Sequence, residues 1–251
     1  MPDEPTLPIS IWVTGPTVPA AERRAGTFAD MIRATVADAW RGPWSVVDAA
    51  DETAPLPEPD DVAGVIVTGS PARIAEQRPW MVRVQQALRR LVDAEVPVLG
   101  ICFGHQLLGQ ALGGESGPNP LGREIGTVEL ETFGDGSLLP PNRRFPVSMT
   151  HLDVVLQLPP GARPIAATAL DRYAAIRFGR RAWGVQFHPE MDAAVMRDYV
   201  AALRDALIAE GLDPDALDAA CRDTPEAAAI LGRFAAHVAR FVESARSSAV
   251  R

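Results

Sequence analysis

Short apolar runs alternate along the first half of the chain with longer stretches in which apolar residues recur at helical spacing. The clearest runs, residues 62–68 and 97–101, are continuous, as in strands that are buried on both faces of a parallel sheet. Strands that alternate with helices in this way form right-handed strand–helix–strand units. The pattern therefore predicts an α/β fold: a three-layer, doubly wound, mainly parallel sheet with helices on both faces.

The second half of the chain has a different pattern, because residues 123–187 contain short β-like runs and no long helical stretch. The runs cover residues 124–131, 146–149, 154–158, 165–168, 173–178 and 183–187. Without intervening helices, we expect them to pair antiparallel. The chain then becomes helical again, with breaks near 211–214 and 224–225. We therefore expect extra antiparallel strands and C-terminal helices in a single domain of residues 1–251, with about residues 211–251 as a C-terminal helical extension.

The charge balance argues against several kinds of partner. The chain has 251 residues, with 24 basic and 32 acidic side chains and a formal net charge of −8. Nucleic acid is an unfavourable partner for such a surface, because phosphate binding needs clustered positive charge. No apolar stretch approaches the ~18 residues of a membrane span, and two cysteines are too few for a disulfide framework. We expect a cytoplasmic protein that binds neither nucleic acid nor membrane.

The sharpest motif is Gly-Ile-Cys-Phe-Gly-His-Gln at residues 100–106, which follows a predicted buried strand and opens a predicted helix. A cysteine between two glycines at such a point is typical of a nucleophile elbow, a tight turn that projects the side chain out of the backbone. Gly100 and Gly104 avoid side-chain collisions across that turn. The positive end of the helix dipole favours a thiolate at this position. Cys102 is therefore the predicted nucleophile, and the Phe103 N–H is a candidate oxyanion donor.

A cysteine nucleophile needs a base, and the chain offers four histidines. His188 ends an apolar run and is followed by Pro189 and Glu190, so one segment supplies a base and a carboxylate to orient it. We expect His105 to have a packing or polar-support role, and His237 lies on the apolar stripe of a C-terminal helix. The sequence therefore predicts His188 as the base and Glu190 as its orienting acceptor.

Metal and cofactor sites are not predicted. The cysteines and histidines show no zinc-like spacing. All 24 basic residues are arginine, and the absence of lysine excludes Schiff-base and P-loop lysine mechanisms. We therefore expect neither a metal nor a cofactor.

Two motifs, residues 100–106 and Gly-Val-Gln-Phe-His-Pro-Glu at residues 184–190, resemble the two signatures of the class I, or triad, glutamine amidotransferases. Residues 65–71 resemble the loop that supplies the second oxyanion amide in that family. The resemblance covers most of the chain and points to the stand-alone branch, which is similar to the glutaminase part of GMP synthase. It implies a flavodoxin-like fold and a Cys-His-Glu amidohydrolase.

The resemblance also implies roles for individual residues. Cys102 would attack the side-chain amide of glutamine, His188 would take the thiol proton and pass it to the departing ammonia, and Glu190 would hold the imidazole. The oxyanion hole would be formed by backbone amides of Phe103, Gly69 and Ser70. The amino-acid end of the substrate would lie against Gln106, Thr150, His151, Leu152 and Asp153.

Two positions depart from the family pattern: Ser70 replaces the second of two glycines that many relatives have, and Leu152 replaces a glycine found in several. Three functions therefore stay open. The first is a glutaminase that releases ammonia through a Cys thioester, for a separate synthetase or transferase chain. The second is a γ-glutamyl hydrolase that acts on another γ-glutamyl amide or peptide, and the third is a non-catalytic regulatory subunit. Since the family fold accounts for nearly all of the 251 residues, we expect any acceptor chemistry on another chain.

Overall fold

A nine-stranded sheet forms the centre of the computed structural model, which describes residues 7–133 and 136–249. The strands of the described chain are β1 (Ile9–Val13), β2 (Trp44–Asp48), β3 (Gly64–Val67), β4 (Val98–Ile101), β5 (Glu115–Pro118), β6 (Glu124–Thr132), β7 (Arg143–His151), β8 (Asp153–Gln157), β9 (Arg163–Ala167), β10 (Ala175–Arg177) and β11 (Ala182–Val185). The helices are α1 (Pro19–Ala25), α2 (Phe28–Val36), α3 (Pro79–Asp93), α4 (Phe103–Ala111), α5 (Ala193–Ala202), α6 (Arg204–Ala209), α7 (Pro214–Ala220) and α8 (Pro225–Ala249). The large sheet has the order β2-β1-β3-β4-β11-β10-β9-β6-β7.

One half of the large sheet, from β2 to β11, is parallel. Every residue of β3, β4 and β11 is buried, because helices cover both faces of these strands. The two continuous apolar runs of the sequence form the central strands β3 and β4. The predicted doubly wound α/β fold is therefore confirmed.

Alternating side chains of the parallel strands divide between two apolar cores, one on each face of the sheet. Helices α3 and α4 pack on one face, and α2 and α8 pack on the other. The fully buried side chains of α8 are those of Ala227, Ile230, Leu231, Phe234, Ala235 and Val238. Helix α8 is therefore a structural part of the layer that covers this face.

Among the described residues, no helix is both long enough and apolar enough to cross a membrane.

The other half of the large sheet, from β11 to β7, is antiparallel, as predicted. Strand β11 joins the halves, since it pairs parallel with β4 and antiparallel with β10. The predicted run at residues 154–158 overlaps β8 (Asp153–Gln157), which pairs with β5 in a separate two-stranded sheet. Strand β5 carries no strand signal in the sequence because its last two residues are Gly117 and Pro118.

The helical spacing of residues 21–40 predicts one continuous helix, whereas the structure has α1 and α2 with a break between them. Gly26 ends α1 with a positive φ of 82°. A capping box then starts α2, because Thr27 Oγ1 accepts from the Asp30 N–H and the Asp30 carboxylate accepts from the Thr27 N–H. The restart places Phe28 beside His188, with the two rings stacked at 6.0 Å.

Candidate active site

Cys102 lies at a strained turn between β4 and α4, as the motif predicts. Its backbone has a φ of 50° and a ψ of −104°, an uncommon conformation for a residue with a side chain. The Cys102 N–H donates to the Val185 carbonyl at 2.8 Å, and its own carbonyl accepts from the Gln106 N–H at 3.1 Å. A Cβ on Gly100 would lie 2.5 Å from the Gly104 carbonyl oxygen. Backbone crowding therefore requires glycine here and fixes the elbow.

His188 and Glu190 form a buried pair directly after β11. His188 Nδ1 lies 2.7 Å from Glu190 Oε1, and the two side chains are at most 2% exposed. The His188 N–H donates to the Ser148 carbonyl at 2.8 Å. The Nδ1 contact leaves the second ring nitrogen, Nε2, without a hydrogen-bond partner in the described chain. The contact fixes the orientation of the imidazole and leaves Nε2 without a partner among the described residues, as the predicted base requires.

The protonation of His188 follows from its neighbours. Burial lowers the pKa of the imidazole, but the Glu190 carboxylate and Cys102 outweigh burial and raise this pKa to about 10. His188 therefore holds a proton at neutral pH. A protonated imidazole next to Cys102 is suited to deliver a proton to a leaving group.

Gly69 lies where Cys102 and His188 meet. A Cβ built on Gly69 would lie 2.9 Å from His188 Cε1 and 3.7 Å from Cys102 Cβ. Cys102 Sγ is also 3.8 Å from the Thr150 carbonyl oxygen. The structure therefore brings the predicted nucleophile, base and oxyanion loop together, and any side chain at position 69 would push against the imidazole.

The predicted oxyanion loop is held by Thr14, a buried residue that the sequence did not single out. Thr14 Oγ1 lies 3.0 Å from both the Thr68 and Gly69 carbonyl oxygens. The Ser70 hydroxyl donates to the Thr14 carbonyl at 2.8 Å. In the described chain, no hydrogen bond is donated by the backbone amides of Phe103, Gly69 and Ser70. These three predicted donors are therefore available to a ligand.

A cavity of about 410 Å³ opens at Cys102 and His188, within the roughly 300–1,000 Å³ of small-molecule sites. The predicted substrate-binding residues all line it, namely Gln106, Thr150, His151, Leu152 and Asp153. Several of their polar groups have protein partners. Gln106 Nε2 donates to the Asp153 carbonyl at 2.7 Å and lies 3.2 Å from Gln186 Oε1. His151 Nε2 lies 3.1 Å from Glu124 Oε2.

Sequence reasoning missed several residues of the cavity wall. The missed polar side chains are Arg73, Arg123, Tyr199 and Thr17. The Tyr199 hydroxyl bonds to Thr17 Oγ1 at 3.1 Å, and burial raises the pKa of Tyr199 to about 12. Tyr199 and Arg123 belong to no motif. Arg73 lies three residues after Ser70 of the predicted oxyanion loop, and this proximity was the one available signal.

His105 has a packing role, which is one of the two roles expected from the sequence. The ring lies 5.6 Å from that of Phe178, and neither ring nitrogen has a hydrogen-bond partner in the described chain. Burial, followed by the charge of His151, lowers the pKa of His105 to about 3. His105 is therefore neutral and is separate from the cavity lining.

Within the described residues, no group of three or more potential ligands has the geometry of a metal site.

Similarity to known proteins extends over most of the chain. Residues 44–203 match the family model described as glutamine amidotransferase class-I. A glutamine-hydrolyzing GMP synthase of Aeropyrum pernix is 37% identical over 171 residues, which cover 67% of this chain and 29% of that protein. One subunit of a glutamine-hydrolyzing GMP synthase of Archaeoglobus fulgidus is 30% identical over 146 residues, 56% of this chain and 73% of that protein. The match thus covers less than a third of the length of the Aeropyrum relative.

Solved structures share the fold over nearly the whole chain. A glutamine amido transferase from Methylobacillus flagellatus has a TM-score of 0.70 and 26% identity, and the match covers 95% of each chain. A glutamine amidotransferase from Thermotoga maritima has a TM-score of 0.68 and 23% identity, with 94% of this chain and 98% of that one covered. With the family match over residues 44–203, more than half of the sequence carries the family signature. The chain belongs to the class I glutamine amidotransferase family.

Proposed function

We propose that this chain hydrolyses the side-chain amide of glutamine to glutamate and ammonia through a thioester on Cys102. One observation carries the proposal: the strained Cys102 elbow and the buried His188–Glu190 pair meet at Gly69, on the wall of one cavity. A nucleophile, a base and an orienting carboxylate are the three groups that acyl transfer needs.

The proton moves between Cys102 and His188. As Cys102 Sγ attacks the amide carbon, His188 holds the thiol proton and then gives it to the nitrogen that leaves as ammonia. His188 next takes a proton from water, whose oxygen attacks the thioester and releases glutamate. The raised pKa of about 10 keeps the proton on His188 until the leaving group needs it. Glu190 holds the imidazole in one orientation throughout.

The oxyanion is assigned to the backbone amides of Phe103, Gly69 and Ser70. Their N–H groups have no acceptor in the described chain, and the contacts of Thr14 hold the loop that carries two of them. Loss of one such donor is expected to lower kcat by roughly 100-fold or more.

The ammonia is proposed to pass to a separate synthetase or transferase chain. The Archaeoglobus relative bears the name of a subunit, and the Aeropyrum relative is more than three times as long as its match to this chain. The buried side chains of α8 belong to the same apolar core as those of α2, so α8 is part of the proposed glutaminase domain. The acceptor chemistry is therefore assigned to another chain.

A second candidate, a γ-glutamyl hydrolase with another amide substrate, is favoured by two observations. The Asp153 carboxylate is paired with Arg73, and Leu152 also lines the cavity. Only the leaving amine or the α-substituent would change, because the same thioester chemistry applies.

The test measures glutamate release from glutamine, with and without candidate synthetase chains, together with labelling of cysteine by a glutamine-analogue electrophile. We expect Cys102→Ala to abolish release and labelling. Cys221→Ala is the matched control, because Cys221 is buried outside the cavity and should leave both unchanged. If glutamate is never released and Cys102 is never labelled, the proposal is wrong.

A further inference from the structure

Arg73 and Asp153 form an ion pair at the rim of the cavity. Arg73 Nε lies 3.1 and 3.0 Å from the two Asp153 carboxylate oxygens, and Arg73 Nη2 donates to Oδ1 at 2.5 Å. The Ile74 N–H donates to Oδ2 at 3.1 Å. The Asp153 side chain is 4% exposed, whereas that of Arg73 is 42% exposed. The carboxylate is therefore buried and satisfied by the protein itself.

The rest of the cavity offers no replacement for this carboxylate. Of the described residues that line the cavity, Asp153 alone carries a carboxyl group. The second lining arginine, Arg123, is itself paired with Glu210 through two hydrogen bonds of 2.7 and 2.9 Å. Gln106 Nε2 also has protein acceptors. Within the described lining, the cavity therefore contains no unpaired negative side chain.

Free glutamine brings an α-ammonium group into this environment. An ammonium that leaves water without an opposite charge is strongly destabilised. To bind it, Asp153 would have to give up a two-point guanidinium contact, which is among the stronger pairings in proteins. A ligand whose α-nitrogen is acylated has no positive charge there, so it can bind without breaking the contact between Arg73 and Asp153.

The same arginine favours a carboxylate ligand. In the described chain, Arg73 Nη1 has no hydrogen-bond acceptor, and much of the side chain is exposed. A guanidinium has five N–H donors along its edges. The Nε and Nη2 edge can therefore stay on Asp153 while the Nη1 edge binds a second carboxylate. Arg73 can therefore recognise the α-carboxylate while it blocks the ammonium position.

We propose that Arg73 sets the substrate class, so that the cavity prefers γ-carboxamides whose α-nitrogen is acylated and whose α-carboxylate is free. This inference rests on the proposed amide hydrolysis at Cys102. The reaction balances as before: the γ C–N bond breaks, its nitrogen leaves as ammonia, and water supplies the oxygen of the new carboxylate.

The test compares kcat/KM for ammonia release from N-acetylglutamine and from free glutamine. The wild-type protein should prefer N-acetylglutamine by about tenfold or more, the order expected for one charged hydrogen bond. Arg73→Gln exposes the Asp153 carboxylate and should shift the ratio toward glutamine by about tenfold or more. Arg73→Lys, which loses the two-point contact but keeps the charge, should shift it in the same direction and serves if Arg73→Gln does not fold.

Arg78→Gln is the matched control, because Arg78 pairs with Glu76 on the same loop and lies outside the cavity lining. It should leave the ratio unchanged. Adding Asp153→Asn to Arg73→Gln should remove the gain for glutamine. A wild-type preference for glutamine, or a ratio that neither Arg73 variant alters, would overturn the inference and leave the proposed glutaminase chemistry standing. Absence of cleavage of either compound, with Cys102 unlabelled, would instead remove the proposed function and this inference with it.

Discussion

The two halves of the sheet contribute different things to the cavity. The parallel half supplies backbone: β4 leads into the strained Cys102 turn, and β3 leads into the Gly69 loop. The antiparallel half leads to side chains of the cavity wall, since β7 runs into a corner with Leu152 and with Asp153, the first residue of β8 in the separate two-stranded sheet. The proposed chemistry thus depends on main-chain geometry at the ends of β3 and β4. The proposed recognition depends on side chains, to which Arg73 after β3 also contributes.

The largest expected effect concerns the proposed base, His188, which follows β11 at the junction of the halves. Glu190→Gln should lower kcat by roughly 10³–10⁴-fold, because the amide cannot hold a protonated imidazole as the carboxylate does. Steady-state kinetics would measure this. Glu226→Gln, at an exposed position in the first turn of α8, is the control and should keep wild-type kcat.

The pH profile of the same pair gives a second readout of the Glu190 substitution. His188 is protonated below its raised pKa of about 10, so activity that uses this proton should fall as the pH rises through about 10. Glu190→Gln removes a charge that raises this pKa, and the alkaline limb should move to lower pH. An alkaline limb at the same pH in the two proteins would contradict this role of Glu190.

A smaller effect is expected at the parallel half, where Thr14 holds the oxyanion loop. Thr14→Val keeps the shape and removes the hydroxyl that contacts the Thr68 and Gly69 carbonyls. We expect kcat to fall by roughly 10- to 100-fold, less than for loss of a donor itself. Thr35→Val removes a hydroxyl that bonds only to its own helix, at the Met31 carbonyl, and is the matched control. A Thr14 variant that changes KM alone would place the loop in recognition rather than chemistry.

The smallest effect on kcat is expected for Leu152, at the corner where the antiparallel half ends. Leu152→Ala enlarges the cavity without touching the groups that react, so kcat for small γ-carboxamides should stay within a few-fold of wild type. The kcat/KM ratio between substrates of different size should shift by about tenfold or less in favour of the larger. A large loss of kcat with every substrate would show that Leu152 acts in the reaction as well as in substrate recognition, and would contradict this comparison of the two halves.

The parts of the site that could be read from the sequence are local ones. Cys102 lies between its glycines, and His188 is two residues from Glu190, so each constraint acts within a few residues of chain. The buried runs that became β3 and β4 are local in the same sense. The break between α1 and α2 was missed, although Gly26 and the Thr27–Asp30 capping box are also local, because helical periodicity continued across them.

The parts that could not be read are pairs that only the fold brings together. Arg73 and Asp153 are 80 positions apart, and Tyr199 and Thr17 are 182 apart. Thr14 and Thr68 meet because β1 and β3 are neighbours in the sheet. No short-range pattern marks such residues, and their roles depend on strand order.

The pairing of β4 with β11 has a further consequence. Gly100 lies opposite Gly184 and Ile101 opposite Val185, and the Cys102 N–H continues the ladder to the Val185 carbonyl. The spacing between nucleophile and base is therefore set by the register of two adjacent strands, where a slip of one residue would reverse the side-chain faces. His188 lies three residues beyond the end of β11, where its N–H bond to the Ser148 carbonyl holds it in place. Substitutions at Leu152 or Arg73 can therefore change the substrate that binds while this register stays the same.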